Sequence, residues 1–143
     1  MHEILFKGFH PDENGKEKVF VNGEWIKGFW VYGFYVRSNL PYGEVKHEIY
    51  GDKYVDDVIP ETVCQYTGLK DKNGKRIFEG DIVKCMARFD TGVCAVIFEE
   101  GEFRLIPDKY YKDYKTGLGF HSIRCFEKEI IGSVHSSPEL LEV

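Results

Sequence analysis

Long apolar runs are missing from this sequence. No stretch approaches the ~18 consecutive apolar residues that a membrane-spanning helix needs, so no span is expected. The opening Met1-His2-Glu3-Ile4 has no basic start and no apolar stretch behind it, so no secretory leader is expected either. Cysteine is sparse: Cys64, Cys85, Cys94 and Cys125 are widely spaced and form no Cys-x-x-Cys pair. That pattern argues against a disulfide framework and points to four free thiols in a reducing cytoplasm. An excess of positive charge is absent as well. The net charge is −5, with 7 Lys+Arg against 11 Asp+Glu in residues 1–62 and 12 against 13 in residues 63–143. A phosphate backbone is repelled at long range by such a chain, which disfavours generic coating of nucleic acid and leaves only a local basic patch as a route to it.

The linear signatures of common chemistry are also lacking. There is no nucleophile elbow, P-loop, dinucleotide fingerprint, His-Glu-x-x-His helix or paired cysteine knuckle. The histidines, His2, His10, His47, His121 and His135, show no i, i+4 pair on a plausible helix. A zinc site would have to be gathered from distant strands. No cofactor is expected.

Aromatic residues, in contrast, are plentiful: eleven Phe, nine Tyr and two Trp. Each can bury roughly 150–250 Å², which suits a thin β core. The pattern reads as β throughout. Val19-Phe20-Val21, Asn22-Gly23 and Glu24-Trp25-Ile26 spell a hairpin, since Asn-Gly supplies the positive φ angles of a type I′ turn. Phe29 to Val36 is a strand apolar on both faces, expected to be covered on both sides, with Gly33 marking a bulge or a close backbone approach. Val45 to Tyr50 is a further strand. Val93 to Phe98, Glu99-Glu100-Gly101 and Glu102 to Ile106 form a second hairpin. Residues 107–119 are a tyrosine-rich loop or a short helix, residues 120–126 and 129–135 are strands, and Pro138 opens a one-turn helix. The expected fold class is all-β, with at most a short C-terminal helix. It comprises an N-terminal hairpin subdomain, 1–61, and an SH3-like small barrel, 62–143.

The most distinctive stretch is Tyr66 to Lys84, YTGLKDKNGKRIFEGDIVK. A polar turn, Lys70 to Lys75, lies between Tyr66-Thr67-Gly68-Leu69 and Ile77-Phe78, and Glu79-Gly80-Asp81 then launches the strand Ile82-Val83. This block resembles the signature of the YopX family of phage and prophage proteins. The opening Ile4 to Phe9 and the closing Glu129 to Val134 with Ser137 to Leu141 are similar to the family's end segments. The resemblance implies a β-rich fold and a phage or prophage origin, and it implies no activity. In this reading Gly68, Gly74 and Gly80 permit turns, Asp71 and Glu79 belong to the same fold-defining block, and Asp81 accepts hydrogen bonds from turn amides.

Three readings of function follow. The preferred one is a non-enzymatic interaction module in the bacterial host cytoplasm, with a protein partner or a second copy favoured over nucleic acid and no membrane. Its candidate self-association residues are Trp25, Trp30 and Phe34, within an aromatic block that includes Phe29 and Tyr35. The first alternative is a nucleic-acid-binding module. It would use the turn cations Lys70, Lys72, Lys75 and Arg76 with the interleaved Lys109, Tyr111, Lys112 and Tyr114, cations meeting phosphates while rings stack on bases. The second alternative is a metal-dependent hydrolase centred on Glu79 and Asp81, which share a face if the strand runs through Gly80.

Overall fold

The computed structural model describes residues 4–86, 91–111, 121–123 and 127–141. Over these the chain is all-β, and each helical element is a single turn: Pro41–Gly43, Asp108–Tyr111 (α1) and Pro138–Leu141. Among the described residues no helix is long and apolar enough to cross a membrane. The chain divides into two compact units, Met1–Tyr66 and Thr67–Val143.

The N-terminal unit holds β1 (Phe6–Pro11), β2 (Glu17–Val21), β3 (Glu24–Asn39), β4 (Val45–Tyr50), β5 (Val55–Asp57) and the first part of β6 (Ile59–Lys70). Its antiparallel pairings run in the order β5-β4-β3-β1-β6, with β2 also paired to β3. Only Val58 separates β5 from β6, and its N–H donates to the His47 carbonyl at 3.0 Å, so the backbone stays satisfied through the change of strand. Asn22 and Gly23 have φ of 51° and 86°, the turn their sequence calls for. The strand after them continues through Asn39 as one element, where the sequence pattern suggests two. Pro11 and Glu17 both lie opposite Gly28. β1 and β2 are thus one line of pairing along β3, interrupted by the loop 12–16. A Cβ on Gly28 would stand 2.0 Å from the His10 carbonyl oxygen, so this crossing needs glycine. The core here is Phe9, Val19 and Val21, packed by Ile26, Trp30 and Ile59.

The C-terminal unit holds the end of β6, then β7 (Arg76–Phe78), β8 (Asp81–Met86), β9 (Thr91–Glu99), β10 (Glu102–Pro107), β11 (His121–Ser122) and β12 (Glu127–Ser133). Five of them form an antiparallel sheet in the order β11-β10-β9-β8-β12. The β9–β10 hairpin turns at Glu100 and Gly101, with φ of 51° and 82°. Both faces of this sheet are buried. Val83, Cys85, Cys94, Val96 and Leu105 face one core, and Ile82, Ala95 and Ile106 face another that includes Leu141. Burial on both sides explains why Val93 to Phe98 reads as an almost unbroken apolar run. Cys64, Cys85 and Cys94 are buried and outside any disulfide; Cys125 lies outside the described residues.

Candidate functional site

The signature block folds around two buried carboxylates. Asp71 is 7% exposed. Its Oδ1 accepts the N–H groups of Asn73 and Lys75, both at 2.9 Å, and its Oδ2 accepts that of Ile130 at 3.0 Å. The Lys72 N–H donates to the Lys128 carbonyl at 2.8 Å, so the turn is fastened to β12 twice. Burial opposes ionisation of Asp71, but the three backbone donors and the nearby Lys75 charge outweigh it and lower the pKa from 3.8. Gly74, φ 81°, gives the turn its left-handed residue. Asp81, 4% exposed, accepts the Phe78 N–H through Oδ2 at 2.8 Å. Gly80, φ 88°, donates to the Val96 carbonyl, and its own carbonyl accepts from Val134. Gly68 also has positive φ, 88°.

This geometry separates Glu79 from Asp81. β7 ends at Phe78 and β8 begins at Asp81, so no strand passes through Gly80. The alternation that would have put both carboxylates on one face does not apply. Glu79 is half-buried, while Asp81 is spent on its own turn. Among the described residues no three His, Cys, Asp or Glu side chains are grouped to hold a metal ion.

The cations of the candidate nucleic-acid surface are only partly brought together. Lys70, Lys72, Lys75 and Arg76 are exposed around the turn, and Lys72 Nζ lies 3.1 Å from Glu129 Oε2. Tyr111, on α1, packs against the Ile82–Ala95–Ile106–Leu141 core, so its ring is not a free stacking platform. The Lys109 side chain, and Lys112 and Tyr114 altogether, lie outside what is described.

The aromatic block divides. Trp30 is half-buried, edge-on to Phe9 at 5.3 Å between centroids, with Lys7 Nζ 4.4 Å over its ring. It belongs to the core. Trp25 is 46% exposed beside Phe20, and Lys18 Nζ already covers its ring at 4.7 Å. It borders an open groove of about 540 Å³ lined also by Pro11, Glu13, Glu24 and Lys27. Phe34 stands further out, 63% exposed. β3 is therefore not covered on both sides as its composition suggests.

Register shows what Phe34 belongs to. It lies opposite Tyr50, and Tyr50 lies opposite Val55. Cross-strand partners share a face, so Phe34, Tyr50 and Val55 form one row across β3, β4 and β5, exposed by 63, 43 and 49%. Two residues along, the row Val36–Glu48–Asp57 lies on the same face. The opposite face is the covered one. Ile49 is 1% exposed there, and the Tyr35 hydroxyl meets His47 Nδ1 at 2.6 Å. Gly33 sets the row. Its φ is +157°, and a Cβ on it would fall 2.1 Å from the Tyr50 carbonyl oxygen, so only glycine lets β3 come this close to the end of β4. Tyr50 and Val55 have no mark in the sequence as surface residues. Counting register back from the loop after Asn39 would have paired Tyr50 with Phe34; Val55 required the turn 51–54 as well.

No curated protein is significantly similar to the chain. A solved structure that is similar is the crystal structure of protein EF1440 from Enterococcus faecalis, 21% identical over 99% of this chain and 100% of that one, with a TM-score of 0.46. A family model described as YopX protein matches residues 31–142, which takes in the register row and the signature block alike, and by that match the chain belongs to the YopX family.

Proposed function

We propose that this chain is a non-enzymatic interaction module of a phage or prophage, working in the cytoplasm of the bacterial host and binding a protein through the β3–β4–β5 face. The observation that carries this reading is the row Phe34–Tyr50–Val55, three adjacent large apolar residues 43–63% exposed on one face of a formed sheet. Single exposed apolar residues are common on protein surfaces, whereas contiguous ones mark interaction sites. The signature block supports the non-enzymatic part, since Asp71 and Asp81 are both engaged in holding backbone. Family membership supports the phage or prophage setting. The C-terminal unit, in this reading, is a small SH3-like barrel, supported by its five-stranded antiparallel sheet with apolar residues on both faces.

The test is capture of partners from phage-infected bacteria with the full chain as bait, compared with Phe34→Thr/Tyr50→Thr. Threonine keeps β propensity while removing the rings. The expected result is a partner held by the natural chain and lost by the variant. A captured set that is the same for both would end the reading. So would single-stranded DNA binding that weakens with salt and with Lys72→Ala/Lys75→Ala/Arg76→Ala, which would place function on the basic turn instead.

A further inference from the structure

We propose that the β3–β4–β5 face takes a lysine- and arginine-rich segment of its partner. The inference rests on the interaction reading above and adds the chemistry of what is bound. Its basis is where the charge lies. Residues 44–61 hold Glu44, Glu48, Asp52, Asp56, Asp57 and Glu61 against Lys46 and Lys53. Residues 1–43 hold five acids and five cations. Of the acids, Glu61 belongs to β6 and Asp56 lies opposite the buried Ile49; the rest sit on β4, β5 and their connections, the elements that present the exposed row.

The two features meet on one face. Rows two residues apart on a strand are separated by about 7 Å, so a group resting on Phe34 and Tyr50 is within side-chain reach of Asp57. Asp57 is 68% exposed at its side chain, with the His10 ring nitrogen 3.5 Å from Oδ1. Glu48, 13% exposed at its side chain, is already paired with Lys46 at 3.4 Å. Tyr54, 74% exposed, and the exposed Asp52 stand in the turn between β4 and β5. Guanidinium and ammonium groups are attracted to the faces of aromatic rings, and arginine can stack flat on one while donating to a carboxylate. A ring row bordered by carboxylates matches that side chain twice over.

Other occupants fit less well. A second copy would bring a second acidic face against the first, and like charges across an interface cost several-fold in affinity or more. Nucleic acid is repelled for the same reason. A neutral apolar segment would cover Asp57 and Asp52 without offering them a partner. Size points to a short segment. At roughly 150–250 Å² per fully buried aromatic, the exposed fractions of Phe34, Tyr50 and Tyr54 offer about 270–450 Å², against ~800 Å² per side for a standard interface between globular partners.

The experiment measures fluorescence anisotropy of three labelled twelve-residue peptides with the full chain, alternating leucine with arginine, glutamine or glutamate. The arginine peptide is expected to bind at least tenfold more tightly than the glutamine peptide and to weaken with added salt. Phe34→Thr/Tyr50→Thr should cost tenfold or more, and Asp52→Asn/Asp57→Asn should weaken binding and flatten its salt dependence. Trp25→Thr, away from the row, should leave it unchanged. Urea midpoints confirm that each variant is folded. Equal binding of the arginine and glutamine peptides overturns the proposal, as does indifference of the arginine peptide to the Phe34/Tyr50 variant. Light scattering at twice the 16.6 kDa chain mass, reverting to the monomer with Phe34→Thr, overturns it in favour of a second copy. If partners are captured through Phe34 and Tyr50 but engage through acidic segments, this proposal fails while the interaction reading stands. Arginine-peptide binding through the row with a captured set indifferent to it is the opposite case.

Discussion

Asp71 illustrates how one side chain can hold a loop in place. It sits in a polar turn, yet it is among the most buried charged residues of the chain, and its two oxygens take three backbone N–H groups. Asp71→Asn keeps the shape and exchanges one acceptor oxygen for a donor, which sets an N–H against an N–H. The loss should be about 1–3 kcal/mol, the usual cost of an unsatisfied buried group, read as a lower urea midpoint with an unchanged slope. The pH dependence has a definite sign. The folded pKa lies below the ordinary 3.8, so the contribution is fully present above that value. It disappears as pH falls through the lower folded pKa, because the unfolded chain takes up the proton first. The stability gap between the natural chain and Asp71→Asn should therefore be level from pH 7 to about pH 5 and narrow below 3.8. A gap that stays constant down to pH 2 would mean that the carboxylate charge plays no part.

At the scale of elements, the exposed row depends on one glycine. Gly33 has both a positive φ, +157°, and no room for a side chain, the Tyr50 carbonyl lying 2.1 Å from where its Cβ would be. Gly23 also has positive φ, 86°, but nothing within 4 Å of an added Cβ. Gly33→Ala should thus destabilise by about 1–3 kcal/mol and shift the Phe34–Tyr50 register, whereas Gly23→Asn, a residue that accepts left-handed backbone, should cost only a few tenths. Equal effects in urea unfolding would show that Gly33 is not a steric pivot. The contrast explains what could be read from sequence. The turn at Asn22-Gly23 was legible because its requirement is local, two residues that accept positive φ. The block from Gly68 to Asp81 was legible for the same reason, and its resemblance to the YopX signature matches the family finding. The exposed row was not. Phe34 was named for its aromatic neighbourhood, but its company is Tyr50 and Val55, sixteen and twenty-one positions away in sequence. Trp30 is half-buried against Phe9, which comes from another strand. Composition gives the number of rings; only register tells which of them meet water.

Across the molecule the two units solve burial differently. In the C-terminal unit, Ile82 and Val83, Ala95 and Val96, and Leu105 and Ile106 are consecutive pairs exposed by 1% or less, so both faces of the middle strands are covered. In the N-terminal unit, the paired part of β3 and β4 buries Ile49 on one face and leaves Phe34 and Tyr50 open on the other. Amide exchange follows the free energy needed to open each segment, which rises with the apolar area uncovered. Opening β8, β9 or β10 uncovers two cores; opening β4 or β5 uncovers one. The amides of Val83, Val96 and Leu105 should therefore exchange slowest of all, and those of β5, a three-residue strand paired with β4, among the fastest within any strand. Hydrogen-exchange mass spectrometry on the full chain resolves the difference. Protection of β4 and β5 equal to that of β9 would mean that the exposed row is already covered in solution, and the argument for a face held open for a partner would go with it.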